Sequence, residues 1–331
     1  MTRTIRVVSL LPSATELIAY IIQEHRSTAQ GGDASLPSID VQLVGVSHEC
    51  DHPEDMGVLD LPHLTSSTIT FTDSKDVDAQ VRKHLDTGEG LYSVDVELLK
   101  TLRPDVIVTQ SLCKVCSVDY CVVESLASGM DPQPRLVDTN PQNLEQVLED
   151  ITKIGEALCV PEAAKRLRDR LETRIATVAS VTKSNSSLPR KNVALLEWTD
   201  PIFVGGHWTP QLLRIAGAEH PLNPCAAEGQ GAGKSITVEV DALIQSNPDI
   251  FIIAPCGLNL EKTLEEAQAC LFSKPWWKEK IHAKVYCVDG NQMFNRPGPR
   301  LVDALEWLCH ILQNHPSPGV EKFPAVLYNA T

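Results

Sequence analysis

Aromatic residues are scarce in this 331-residue chain, at 5% of the sequence. Any face that grips a large flat ligand must therefore draw on few rings, and the five tryptophans become worth locating. Positive charge is in short supply as well: 29 lysines and arginines stand against 43 aspartates and glutamates, a net charge of −14. That balance argues against a nucleic-acid backbone or an anionic membrane surface as partner. No stretch approaches the ~20 apolar residues needed to cross a bilayer, so no membrane insertion is expected. Also missing are a Ser-His-Asp order, a phosphate loop and a G-x-G-x-x-G fingerprint. Gly231-x-Gly233-Lys234-Ser235 lacks the upstream glycine and the preceding strand that a phosphate loop requires.

What is present is a chain longer than one hydrophobic core usually serves, 43% hydrophobic, which predicts two lobes. Ten cysteines are spread through the whole length, which favours reduced thiols over a disulfide framework. Short apolar runs alternate with helical patterns: Arg6 to Leu11, Gln42 to Ser47, Asp105 to Thr109, Asn192 to Leu196, Asp249 to Ala254 and Lys284 to Val288. This alternation predicts parallel α/β sheets. Ser93–Val108 (SVDVELLKTLRPDVIV) and Thr237–Ile252 (TVEVDALIQSNPDIFI) align without gaps, pairing Val94 with Val238, Leu99 with Leu243 and Pro104-Asp105 with Pro248-Asp249. Each copy reads as capped helix, Pro-Asp turn and buried strand, which favours a duplicated lobe. Helical spacing from Leu144 to Val178, restarted at Pro161, lies between the copies. The expected boundaries are 1–140 for an N-terminal α/β lobe, 141–183 for a helical connector, 190–315 for a C-terminal α/β lobe and 316–331 for a tail.

At the N-terminus Arg3 and Arg6 precede an apolar stretch, but Pro12, Ser13, Thr15 and Glu16 interrupt it. Strand, turn and helix fit better than a signal peptide, with Ser13 as N-cap and Glu16 at the capping-box position.

In parallel α/β sheets ligands bind beyond the carboxyl ends of the strands. Those positions hold Ser13 and Thr15 after the first strand, His48, Cys50, Asp51 and His52 after the second, and Cys113, Cys116 and Cys121 after the third. In the second lobe they hold Gly206, His207 and Trp208, then Pro255-Cys256-Gly257, then Arg296 and Arg300 around Pro297-Gly298-Pro299. Cys113-x-x-Cys116 has the spacing at which two thiolates reach one soft cation, and His48 and Cys50 could complete a zinc or iron site. Packing as small hydrophobes is the competing reading of the thiols, and the preferred one for Cys121. Glycines at 205 and 206 let backbone come close to a ligand beside His207 and Trp208.

The segments RVVSLLPSATELI, LVGVSHECDHP, ELLKTLRPDVIVTQ and NRPGPRLVDALEWLC together resemble the cobalamin-binding substrate-binding proteins of ABC importers, part of the helix-linked periplasmic-binding-protein superfamily. The resemblance spans Arg6 to about Leu312. It implies two Rossmann-like α/β lobes joined by a long rigid helix, with a ligand cleft between them. The implied function is non-catalytic binding of a cobalamin-like corrinoid or related tetrapyrrole. Ser13, Thr15, His48, Cys50, Asp51, Gly206, His207, Trp208 and Arg296 are the expected ligand-facing residues, with His207 or His48 as axial ligand to cobalt. The acidic residues with which the family docks onto an ABC permease fall on Glu97 and Asp241. Because the N-terminus does not read as an export signal, the expectation is a cytoplasmic monomer, for which permease docking lacks a route. The alternative is a cytosolic metalloprotein or thiol enzyme with Cys113, Cys116, His48 and Cys50 as metal ligands.

Overall fold

The computed structural model describes residues 2–29, 39–87, 90–111, 118–185, 187, 189–226, 231–317 and 319–328. The chain divides into two compact α/β units. Unit 1 takes Met1–Thr70, Ala79–Pro141 and Gln146–Arg170, and unit 2 takes Phe71–Asp78, Gln142–Glu145 and Leu171–Thr331.

Unit 1 begins with β1 (Arg3–Ser9), α1 (Pro12–Ala29) and β2 (Ile39–Gly45), followed by β3 (Thr65–Ser67) and α2 (Ser74–Thr87), whose first turn belongs to unit 2. Next come β4 (Tyr92–Val94), α3 (Val96–Leu102), β5 (Val106–Gln110), α4 (Tyr120–Ser128), β6 (Arg135–Thr139) and α5 (Leu144–Ala157). Its main sheet has the order β2-β1-β5-β6 with every pairing parallel, and β3 and β4 form a separate antiparallel pair. All five residues of β5 are buried, as a strand covered on both faces requires. Ile107, Val8, Leu10, Leu64, Leu99 and Val123 form the core on one face. Pro12 opens α1, which puts Ser13 inside the first turn rather than at the expected cap.

Helix α6 (Pro161–Ser184) starts with proline, which suits a first-turn position whose N–H needs no partner. The unit boundary falls inside it, between Arg170 and Leu171. In unit 1 it is tied to α1 by the Arg170–Glu24 ion pair. Gly155 of α5 faces Ala164, where a Cβ would collide.

Unit 2 continues with β7 (Lys191–Thr199), β8 (Ile202–Val204), α7 (Thr209–Ile215), β9 (Ala218–Glu219), β10 (Ile236–Thr237) and α8 (Val240–Gln245). It closes with β11 (Ile250–Ile253), α9 (Leu260–Ala267), α10 (Pro275–Lys280), β12 (Lys284–Val288), α11 (Arg300–Gln313) and β13 (Ala325–Tyr328). The sheet order is β10-β8-β7-β11-β12-β13, with β9 also paired to β7. The parallel trio β7, β11 and β12 is flanked by antiparallel neighbours. Arg174 of α6 holds Glu306 of α11 through two bonds of 2.8 Å and Asp303 through one of 2.6 Å. The residues from Pro316 were expected to trail as a tail, but β13 pairs antiparallel with β12 and Phe323 is buried. The apolar residues Phe323, Val326 and Leu327 give that segment enough to dock on an open sheet edge.

The aligned segments fold alike. Arg103 and Asn247, equivalent in the alignment, both end their helix in the left-handed region, at φ 44 and 41. Asp105 Oδ2 accepts the backbone N–H of Arg6 at 2.7 Å, and Asp249 Oδ2 accepts that of Asn192 at 2.8 Å. In both copies the Pro-Asp turn therefore locks the start of a central strand to its parallel neighbour.

Candidate functional site

In unit 1 the residues after β1 and β2 meet. Thr15 is fully buried, its hydroxyl 3.1 Å from the Cys50 thiol, and Cys50 packs with Val46 and Val58. Both were expected to face a ligand; burial and mutual contact make them packing residues. Among the described residues no group of three or more His, Cys, Asp and Glu side chains comes together to hold a metal. Cys113 and Cys116 lie outside the described residues, so the expected set with His48 and Cys50 gains no support.

His48 is oriented by a short relay. The Thr65 hydroxyl donates to Ser47 Oγ at 3.1 Å, and His48 Nδ1 lies 2.6 Å from Thr65 Oγ1. Its Nε2 lies 3.3 Å from Glu49 Oε1 without a hydrogen bond. The ring is tilted against Tyr92, and Asp51 nearby in sequence is half-buried. His52 Nε2 meets the Tyr20 hydroxyl at 3.1 Å. Cys121, expected as packing, is exposed at the start of α4, which Asp119 caps by accepting the Cys121 N–H.

In unit 2 the backbone of His207 is held on both sides, its N–H on the Gly233 carbonyl at 2.9 Å and its own carbonyl on the Ala232 N–H at 2.8 Å. A Cβ at Gly206 would collide with Ser235 N, so this close approach demands glycine, and His207 after it sits in the left-handed region at φ 52. Burial, aided by the positive charge of Lys234, pushes the His207 imidazole below its ordinary pKa and keeps it neutral. Its Nδ1 is buried without a hydrogen bond. Trp208, expected to stack on a ligand, is only 5% exposed and its Nε1–H donates to the Phe294 carbonyl at 2.7 Å. Its ring stacks on His207 instead. Arg296, two residues past that carbonyl, is nearly buried and braces its loop by donating to Asn291 Oδ1 at 2.8 Å.

Three polar groupings escaped the sequence reading. Glu266 Oε1, in the interior of unit 2, accepts Ser74 N–H at 3.0 Å, the Ser74 hydroxyl and the Cys270 thiol at 3.1 Å, while Trp198 Nε1–H donates to the Ser74 carbonyl. A π-helical turn at Gln268–Phe272 beside it was one signal without a sequence signature. His220 Nε2 accepts the Leu195 N–H at 3.2 Å inside unit 2. In unit 1, Thr109 and Asp138 sit opposite each other near the carboxyl ends of β5 and β6. The segment RLVDT that forms β6 has only two apolar residues, so hydropathy did not single it out.

The two exposed acids, Glu97 and Asp241, occupy the first turns of α3 and α8. Glu97 pairs with Lys100 at 2.9 Å.

A family model described as periplasmic binding protein matches residues 66–279. The chain belongs to the periplasmic binding protein family. Curated relatives include a vitamin B12-binding protein of Photorhabdus laumondii, 23% identical over 77% of this chain and 83% of that protein. Another is the vitamin B12-binding protein of Yersinia pestis, 22% identical over 96% and 89%. Among solved structures, the periplasmic haem-binding protein BhuT with two haems aligns at TM-score 0.64 and 18% identity, covering 94% of this chain and 98% of that one. The periplasmic vitamin B12-binding protein BtuF of Vibrio cholerae aligns at TM-score 0.61 and 17% identity, covering 95% and 98%. These likenesses bear out the two-lobed α/β fold of the helix-linked class. Family members are solute-binding proteins. The cytoplasmic expectation is corrected: family and relatives point to a periplasmic location. It had rested on residues that fold as β1 and α1, and a folded strand carries no information about export.

Proposed function

We propose that this chain binds, without catalysing a reaction, a cobalamin-like corrinoid or a related tetrapyrrole. The observation that carries this reading is the match to vitamin B12-binding proteins over 96% of the chain. The geometry is compatible with it. His207, held neutral on a rigid glycine turn, presents the protonation state in which imidazole ligates a metal centre. His48, Asp51 and the loop braced by Arg296 are the remaining ligand-facing candidates, whereas Ser13 in the first turn of α1 is as buried as Trp208. Glu97 and Asp241, each exposed on the first turn of equivalent helices, are the proposed points of contact with a permease.

Titration of the purified chain with cyanocobalamin and with haemin, followed by visible absorbance and calorimetry, tests the reading. A saturable one-to-one complex with either is the expected result. Neither heat nor spectral change with both would overturn it.

A further inference from the structure

Thr109 and Asp138 are register partners on adjacent parallel strands, on the side of the sheet where α4 begins. The Ser111 hydroxyl donates to Asp138 Oδ2 at 2.7 Å, and the Thr139 hydroxyl donates to the Thr109 carbonyl at 3.0 Å. These bonds fix both residues but leave two polar atoms over. Asp138 Oδ1 and Thr109 Oγ1 are shielded from solvent and make no hydrogen bond among the described residues, and Thr109 is fully buried. A polar atom shielded from solvent and left unpaired is costly, so such a pair near the carboxyl ends of β5 and β6 asks for a partner.

The surrounding charge restricts what that partner is. Asp150 of α5 and Tyr120 of α4 both lie within the electrostatic reach of Asp138. Lys153 donates to Asp150 at 2.7 Å, so its charge is directed there. The Ser111 hydroxyl is the donor bound to Asp138, and it occupies the other oxygen. A carboxylate brought to this spot would meet like charge. A carboxamide would offer an N–H to Asp138 Oδ1 and a carbonyl to the Thr109 hydroxyl, satisfying both orphans at once.

We propose that Thr109 and Asp138 form a subsite of unit 1 that accepts a carboxamide of the ligand and rejects a carboxylate. This inference rests on the corrinoid or tetrapyrrole reading above and sharpens it. Corrinoids carry carboxamides on their rim where haem carries propionate carboxylates, so the subsite selects a corrinoid.

The test uses the full chain with three probes: cyanocobalamin, its monocarboxylate derivatives in which one rim carboxamide is hydrolysed, and haemin. The wild type is expected to bind cyanocobalamin about tenfold more tightly than at least one monocarboxylate isomer, the worth of one charge-assisted hydrogen bond. Asp138→Asn should shrink that preference below about threefold. Thr109→Val, which removes the hydroxyl at constant shape, should weaken cyanocobalamin several-fold and leave haemin unchanged. Circular dichroism melts establish that each variant is folded, and if Asp138→Asn is not, Thr109→Val alone decides. Cyanocobalamin binding with unaltered preference in the folded variants overturns this subsite while the corrinoid reading stands. Binding of haemin alone by the wild type also overturns it. No binding of any probe overturns both.

Discussion

Replacing Asp150 by asparagine should stabilise the protein at neutral pH. Asp150 sits on α5, 1% exposed, and its ion-pair partner is Lys153 at 2.7 Å, a residue half open to solvent. Burial raises its carboxyl, and nearby Asp138 and Glu149 add to the rise against the opposing pull of Lys153, so the pKa is pushed up from 3.8 to about 6. At 1.36 kcal/mol per pH unit, ionising this group in the folded protein costs about 3 kcal/mol. The sign follows from proton counting. Between about pH 4 and 6 the native state holds a proton that the unfolded chain has released, so stability falls as pH rises through this window and levels off above it. Asparagine keeps the shape and removes the charge. Because the pull of Lys153 is already contained in the raised pKa, the variant should gain up to about 3 kcal/mol at pH 7.5 and about 1 kcal/mol at pH 4.5. His220 supplies a contrast of opposite sign. Burial lowers its pKa from 6.5 to about 4, so its contribution is present above pH 6.5 and lost as pH falls toward 4. Asp150 belongs to unit 1 and His220 to unit 2, and all five tryptophans lie in unit 2. Urea denaturation from pH 4.5 to 8 should therefore be followed by tryptophan fluorescence, which reports unit 2, and by far-ultraviolet circular dichroism, which reports both. A variant no more stable than wild type at pH 7.5, or a difference that does not change with pH, would refute the argument.

Glu266→Ala strips the acceptor from Ser74 N–H, the Ser74 hydroxyl and the Cys270 thiol, all within the interior of unit 2. It should cost about 2 to 4 kcal/mol, with an altered emission from Trp198, whose indole N–H is bound to the Ser74 carbonyl; an unchanged urea midpoint would count against a structural role. Alkylation of the native protein at pH 8, read by peptide mass spectrometry, should label exposed Cys121, Cys159 and Cys256 first. Cys270, with its pKa pushed up to about 11, and Cys287, pushed up to about 12, should react only on unfolding. Early labelling of Cys287 would show that its burial is wrong.

The strands were legible wherever both faces are covered. VIVT in β5 and IFII in β11 read as continuous apolar runs because the sheet buries them on both sides. β6 escaped because only Leu136 and Val137 of RLVDT are apolar, and with the strand went Asp138, the residue on which the carboxamide subsite rests. β13 escaped for a related reason: an edge strand with exposed Val326 and Leu327 needs a partner edge, and that partner, β12, is distant in the apolar pattern. At the site, residue type misled where burial decided. Thr15, Cys50 and Trp208 stand at the right strand ends, yet each spends its polar atom inside its own unit. Sequence position reports the strand end, whereas the rotamer and the partner at hand determine whether the group remains available to a ligand.

The aligned repeat explains why both units can be read by one rule and still differ in chemistry. In each copy the left-handed residue, Arg103 or Asn247, turns the chain so that the Pro-Asp carboxylate grips a neighbouring strand. Those groups lie at the amino ends of β5 and β11. What the two copies share is therefore scaffold: a carboxylate at the start of a central strand that holds its parallel neighbour. Near the carboxyl ends of β5 and β6 unit 1 places Thr109 and Asp138, a negative, donor-seeking pair, whereas unit 2 carries a neutral His207 on a glycine turn after β8, which runs antiparallel to β7.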